Sequence, residues 1–256
     1  MGIYAITGGA SGIGAGIVDR LQEDGHQVIV VDLHSADIEA DLSSYQGRQK
    51  AIAGIKALAP DGLDGFIPCA GVGVNVKPVS LISRINYFGA LATIEGLKDH
   101  VAKRHGAMVL ISSISATMSQ NGTYVETLLT GDEKQAMALI DELAEGNEAY
   151  AGSKHALTRW MRHHSRDYLA AGVRLNAIAP GYIATPLNEK IEADPTLRKV
   201  NQAFAASIPV GRSGRPEDIA HATAFLLDPN SSFIAGTILF LSLIHISEPT
   251  RLLSIA

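Results

Sequence analysis

The 256 residues are 46% hydrophobic and 18% charged, enough apolar material for one large core in one domain. Formal net charge is −5 with no dense Lys/Arg block, which argues against nucleic-acid or anionic-membrane partners. Cys69 is the only cysteine, so an internal disulfide is excluded; with no leader ahead of Ile3 and no apolar run of bilayer length, a cytoplasmic location is expected.

Short apolar runs alternate with longer helical patterns almost from end to end. Strands are predicted at 3–7, 28–32, 38–40, 65–69, 108–112, 173–178 and 237–241, most of them continuous apolar runs, as in strands covered on both faces. Helices are predicted at about 13–24, 45–58, 77–103, 148–170 and 216–227. Such alternation predicts an α/β fold with a doubly wound parallel sheet, because each parallel crossover needs a helix to return the chain. Residues 118–147 interrupt the rhythm with a polar loop and then a helical stretch over 133–145. The apolar positions Ala136, Leu139, Ile140 and Leu143 of that stretch must cover something, either the mouth of a site or a neighbouring subunit. Its acids Asp132, Glu133, Asp141, Glu142 and Glu145 read as a solvated face. His163, His164 and His221 lack metal-ligand spacing and read as solvated helix residues, and no metal site is expected.

The first strand ends in Thr7-Gly8-Gly9-Ala10-Ser11-Gly12-Ile13-Gly14 and opens a helix. Glycines let backbone approach a pyrophosphate, and a helix N-terminus supplies free N–H groups and a favourable dipole. Asp32, at the end of the second strand, can accept both ribose hydroxyls of an adenosine and would repel a 2′-phosphate. No Arg or Lys stands beside Asp32 or inside the turn, so NAD is expected over NADP.

Tyr150 and Lys154 are four residues apart on a predicted helix, one turn from each other on one face. A free phenol has a pKa of about 10, and bringing it toward neutrality takes about 4 kcal/mol from a nearby cation. Ser112-Ser113 closes the strand at 108–112, at the carboxyl end where such sheets bind ligands. Asn86 sits amid Ile85, Tyr87 and Phe88 in a predicted helix, where Asn is disfavoured unless exposed or engaged in a polar network. Cys69-Ala70-Gly71, Pro180-Gly181 and Thr185 follow later strands.

Together these motifs resemble the short-chain dehydrogenase/reductase family over residues 1–240: the Gly-rich turn, Asp41-Leu42, Asn86, Ser113, Tyr150 with Lys154, and Pro180-Gly181. Where that family usually has Asn-Asn-Ala-Gly, this chain has Cys69-Ala70-Gly71 after Pro68. The Cys-Ala-Gly variant, Ile85-Asn86-Tyr87-Phe88-Gly89, the insertion and the run from Ala149 to Lys154 are together similar to the bacterial 3α-hydroxysteroid dehydrogenase/carbonyl reductase group within it. The resemblance implies a Rossmann-type sheet in the order 3-2-1-4-5-6-7. It implies Tyr150 as acid and base, Lys154 lowering its pKa, Ser113 orienting the substrate oxygen and Asn86 holding a proton-relay water. Gly8, Ser11, Gly12, Ile13, Gly14, Asp32, Leu33, Asp41, Leu42, Cys69, Ala70, Gly71, Pro180, Gly181, Ile183 and Thr185, with Tyr150 and Lys154, would contact NAD. Residues 188–206 would form a flap. A secondary alcohol or ketone is the implied substrate, a hydroxysteroid or xenobiotic carbonyl in particular. A general carbonyl, quinone or sugar-alcohol reductase and a non-catalytic dinucleotide-binding relative are the alternatives. A homo-oligomer, dimer or tetramer, is also implied, with the insertion altering the assembly.

Residues 241–256 bear no relation to the family's usual Asp-Gly-Gly ending and resemble a translated sequencing adaptor. They are expected to be a non-native tail that lowers stability.

Overall fold

The computed structural model describes residues 1–118, 121–185, 208 and 210–241; the flap expected at 188–206 and the tail from 242 onward lie outside the described residues. Seven strands form one parallel sheet in the order β3-β2-β1-β4-β5-β6-β7, as the family resemblance implied. They are β1 (Ile3–Thr7), β2 (Gln27–Asp32), β3 (Ile38–Glu39), β4 (Gly65–Pro68), β5 (Ala107–Ile111), β6 (Arg174–Pro180) and β7 (Ile238–Leu241). The helices, numbered here in chain order, are α1 (Gly12–Glu23), α2 (Tyr45–Leu58), α3 (Ser80–Ser83), α4 (Ala90–Ala102), α5 (Gly122–Leu129), α6 (Glu133–Leu143), α7 (Gly146–Ala170) and α8 (Pro216–Leu227).

The continuous apolar runs have a simple cause: alternate side chains point to opposite faces, and both faces are covered. Tyr4, Ile6, Val28, Val109 and Ile178 pack with Ile17 and Leu21 of α1 and Ile219 and Leu226 of α8. Ala5, Ile29, Phe66, Met108 and Leu175 face the larger core with Ile52 and Ile55 of α2, Ile94 and Leu97 of α4, and Leu157 and Trp160 of α7. β1 pairs with both β2 and β4. Sequence order therefore reverses at β1, and the carboxyl ends of β1 and β4 flank the crevice where open α/β sheets bind ligands.

Two sequence expectations are corrected. The helix expected at 77–103 is in fact α3, a π-helical segment Arg84–Gly89, and α4. The wide turn carries Asn86, and π segments of this kind are frequent at functional sites. The polar loop expected ahead of residue 133 contains α5. Asn121 caps it, its side chain accepting from Tyr124 N at 3.1 Å, and Tyr124, Val125 and Leu128 form its buried stripe.

The acids of the insertion do not form a merely solvated face. Asp132 caps α6 through Gln135 N at 2.9 Å, Glu133 pairs with Arg48, and Asp141 accepts from Ser80 N at 2.9 Å. Ala136 and Ile140 are buried in the chain's own core, with Leu139 and Leu143 packed against it. The insertion thus covers its own subunit. His164 also departs from expectation: its ring stacks on Trp160 at 4.3 Å between centroids.

Candidate active site

Gly8 takes φ +73°, donates to Val31 O at 2.7 Å, and would drive a Cβ to 2.6 Å from Ala70 Cα. A Cβ on Gly14 would stand 1.9 Å from Gly8 O, so the first turn of α1 closes directly on the turn that precedes it. Ser11 precedes α1 without a side-chain cap, and the first turn carries no acid. Its amide groups and positive dipole end are suited to an anion. Ile13 stands in that turn, partly buried against the α1/α8 core. Asp32 braces the same turn: Oδ2 accepts from Ala10 N at 3.0 Å and Oδ1 from Leu33 N at 2.7 Å. Leu33 is exposed. Thr7 Oγ1 accepts from Ala70 N at 3.2 Å, tying the end of β1 to Cys69-Ala70-Gly71 beyond β4.

On the far side of the reversal, Ser113 follows β5 and caps a 3-10 turn, Ile114–Thr117, its Oγ accepting from Ser115 N at 3.2 Å. The same hydroxyl lies near that of Tyr150 of α7 and acts to lower the Tyr150 pKa; burial acts more strongly and raises it overall. Lys154 Nζ donates to Ile111 O at 2.8 Å and lies 6.0 Å from the centre of the Tyr150 ring. Burial pushes Lys154 down to about 8. The Tyr150 phenol thus lies above its ordinary value.

Asn86 is buried and engaged, the second of the two states open to it. Its Oδ1 accepts from Val72 N at 2.8 Å and its Nδ2 donates to Val72 O at 3.0 Å. A Cβ at Gly71 would stand 3.2 Å from Asn86 Oδ1 and 3.7 Å from Lys154 Nζ, so the bare glycine lets these groups converge. Cys69 lies beside them, its thiol pushed up to about 12 by burial. Pro180 ends β6, Gly181 N donates to Leu241 O at 3.3 Å, and Ile183 bridges to Gly214, with Thr185 buried just beyond. Asp41-Leu42 forms a turn between β3 and α2. Asp41 Oδ1 accepts from Ser43 N at 2.9 Å, and Leu42 is buried against Gly89 of the π segment.

Three partners escaped the sequence reading. The carbonyl of Ile111 and the backbone of Val72 carry no side-chain signal. Arg48 does: it stands with Ala51, Ile52 and Ile55 at helical spacing on the buried stripe of α2, where an apolar residue is expected.

The family model described as short chain dehydrogenase matches residues 3–125, and that described as Enoyl-(Acyl carrier protein) reductase matches 135–242. The chain is 37% identical over 242 residues to 3-alpha-hydroxysteroid dehydrogenase/carbonyl reductase of Comamonas testosteroni, covering 92% of this chain and 93% of that protein. It is 29% identical to cis-4-hydroxycyclohexanecarboxylate dehydrogenase of Sinomonas cyclohexanicum, over 93% of each chain. The 3-alpha-hydroxysteroid dehydrogenase from Pseudomonas sp. B-0831, solved with NADH, superposes with a TM-score of 0.89 at 42% identity, over 93% of this chain and 94% of that one. Fold, motifs and relatives agree: the chain belongs to the short-chain dehydrogenase/reductase family.

Proposed function

We propose that the protein is an NAD(H)-dependent oxidoreductase that interconverts a secondary alcohol and a ketone, with a 3α-hydroxysteroid/3-ketosteroid or xenobiotic carbonyl as substrate. The observation that carries the reading is the convergence of Ser113 on the Tyr150 hydroxyl, with Lys154 one turn along α7, buried and held to Ile111 O. The residues present fit the dinucleotide. Gly8 and Gly14 make a backbone cradle that a Cβ would fill, α1 offers uncapped amides for the pyrophosphate, and the Asp32 carboxylate suits ribose hydroxyls and opposes a 2′-phosphate. When bound, NAD(H) supplies or accepts the hydride.

The rest falls to the chain. Ser113 donates to or accepts from the substrate oxygen and aligns it with Tyr150. The Tyr150 hydroxyl gives its proton to the carbonyl oxygen in reduction and takes it back in oxidation. Lys154 presents its ammonium to the cofactor ribose and to the phenol, and Asn86 holds the backbone of Val72 beside it. Ile183 and Thr185, beyond β6, would meet the nicotinamide amide. The identities of 37% and 42% to hydroxysteroid dehydrogenases support the steroid preference.

Nicotinamide absorbance tests the reading, with a 3α-hydroxysteroid plus NAD run against an aromatic ketone plus NADH. Tyr150→Phe is expected to cut turnover at least about a thousandfold, within the range for loss of a general acid–base group, while NADH still binds. Steroid turnover lost in that variant supports the whole reading. Reduction of the ketone alone keeps the chemistry and favours a general carbonyl reductase. NADH binding without turnover points to a non-catalytic relative.

No helix among the described residues is long and apolar enough to cross a membrane. A cytoplasmic homo-oligomer is part of the proposal, and sedimentation equilibrium reads the assembly.

A further inference from the structure

Arg48 is 6% exposed, and its guanidinium is enclosed by acceptors from three separate parts of the chain. Its Nε donates to Leu42 O at 2.8 Å, and Nη2 reaches Ser43 O at 3.4 Å. Nη2 also donates to Arg84 O at 3.0 Å, at the first residue of the π segment that carries Asn86. Glu133, the first residue of α6, closes the fork with Oε2 at 2.7 Å from Nη1 and Oε1 at 2.9 Å from Nη2. A planar fork of five N–H donors can meet such a set at once; an ammonium cannot.

The other ties of the Asp41-Leu42 turn are short in sequence. Asp41 holds Ser43 N and Ser44, and Ala40 N joins Asp32 O at 2.8 Å. Leu42 packs against Gly89, and Arg48 adds the hydrogen bonds that join this turn to the π segment and to the insertion. A Cβ at Gly47 would meet Asp41 O at 1.9 Å, and one at Gly89 would meet Leu42 O at 3.1 Å, so the turn is clasped from both sides and small shifts of Arg48 transmit to it.

We propose that Arg48, held by Glu133 of the insertion, is a positioning residue that keeps the Asp41-Leu42 turn in the shape that receives the adenosine half of the dinucleotide. The inference rests on the proposed NAD(H) reading, and adds to it a task for the insertion: steadying the adenosine subsite through an ion pair 85 residues apart in sequence.

ADP, which has the adenosine and pyrophosphate but no nicotinamide, is titrated calorimetrically into the unmodified protein, Arg48→Lys, Glu133→Gln and the double variant, and thermal midpoints are recorded for each. Each single variant is expected to raise the ADP Kd about tenfold, equivalent to about 1.4 kcal/mol. The double variant is expected to be no weaker than the worse single one, because both act through one contact. At saturating NAD, the KM for the alcohol should stay within about twofold, which separates a cofactor-side effect from general loosening. Lower midpoints with an unmoved ADP Kd would make the pair a structural strut only and overturn the inference. Should Arg48→Lys fail to fold, Glu133→Gln decides alone, since it retains an acceptor and removes only the charge. Absence of ADP and NADH binding in the unmodified protein would remove the proposed function and this inference together; normal binding in every variant removes the inference alone.

Discussion

Lys154 shows how one buried side chain carries two opposed demands. The residue is 5% exposed, its ammonium donates to the backbone carbonyl of Ile111, and burial brings its pKa from 10.5 to about 8. The folded protein therefore releases this proton at lower pH than the unfolded chain does. Between pH 8 and 10.5 the unfolded state binds more protons, so stability rises with pH across that window. The cost of burying the ammonium is fully present below pH 8 and amounts to about 3 kcal/mol. Replacing Lys154 by Met removes this dependence. The midpoint of the unmodified protein is expected to gain on that of Lys154→Met as pH is raised from 7 to 10, and parallel melting curves would contradict it. Tyr150 shifts the other way: burial raises its pKa, so it stays protonated to higher pH in the folded protein, and its contribution to stability begins to fall only above pH 10.

At the scale of elements, α7 depends on its neighbour α5. Gly152, between Tyr150 and Lys154, has no side chain because the Tyr124 ring lies against it: a Cβ there would meet Tyr124 Cε1 at 2.7 Å. The buried Tyr124 hydroxyl bonds Ser83 of α3, directly ahead of the π segment, so one tyrosine touches α7, which carries Tyr150 and Lys154, and the helix that leads into the segment carrying Asn86. Gly152→Ala is expected to lower stability by about 1–3 kcal/mol through overpacking, and to lose turnover as Tyr150 shifts. Adding Tyr124→Leu should recover much of the stability by making room; a single variant with an unchanged midpoint would mean the ring moves aside freely. The sequence supplied the existence and type of most elements. The 45–58 and 216–227 helices match in both bounds, since Ser44 and the Pro216-Glu217-Asp218 start are strong local signals. It did not supply α5 or the π segment. Asn121-Gly122 has the chemistry of a turn as well as of a cap, and the widened turn at Arg84–Gly89 is stabilised by partners distant in sequence, Arg48 and Val72, which no local pattern announces.

Across the whole molecule, the reversal of strand order at β1 brings the Gly-rich turn, Cys69-Ala70-Gly71, Ser113 and the Pro180-Gly181 end of β6 to one edge of the sheet. A ligand laid along that edge touches several crossovers and should stabilise the protein as a unit. NADH at about 100 times its Kd contributes about 2.7 kcal/mol. In a chain of this size that raises the thermal midpoint by roughly 5–10 °C. NADPH at the same concentration should give a much smaller shift, because the Asp32 carboxylate proposed to meet the ribose would repel the extra phosphate. Equal shifts would overturn the preference for NAD. The cradle, the acid at the end of β2, the Tyr150–Lys154 pair and the parallel sheet were all legible from local pattern, since each depends on residues close in sequence or on a periodicity. Three things were not: the state of the proton on Lys154, the enclosure of Asn86, and the tie from Glu133 through Arg48 to the adenosine turn. Each of these depends on burial and on contacts between distant segments, which exist only once the chain has folded.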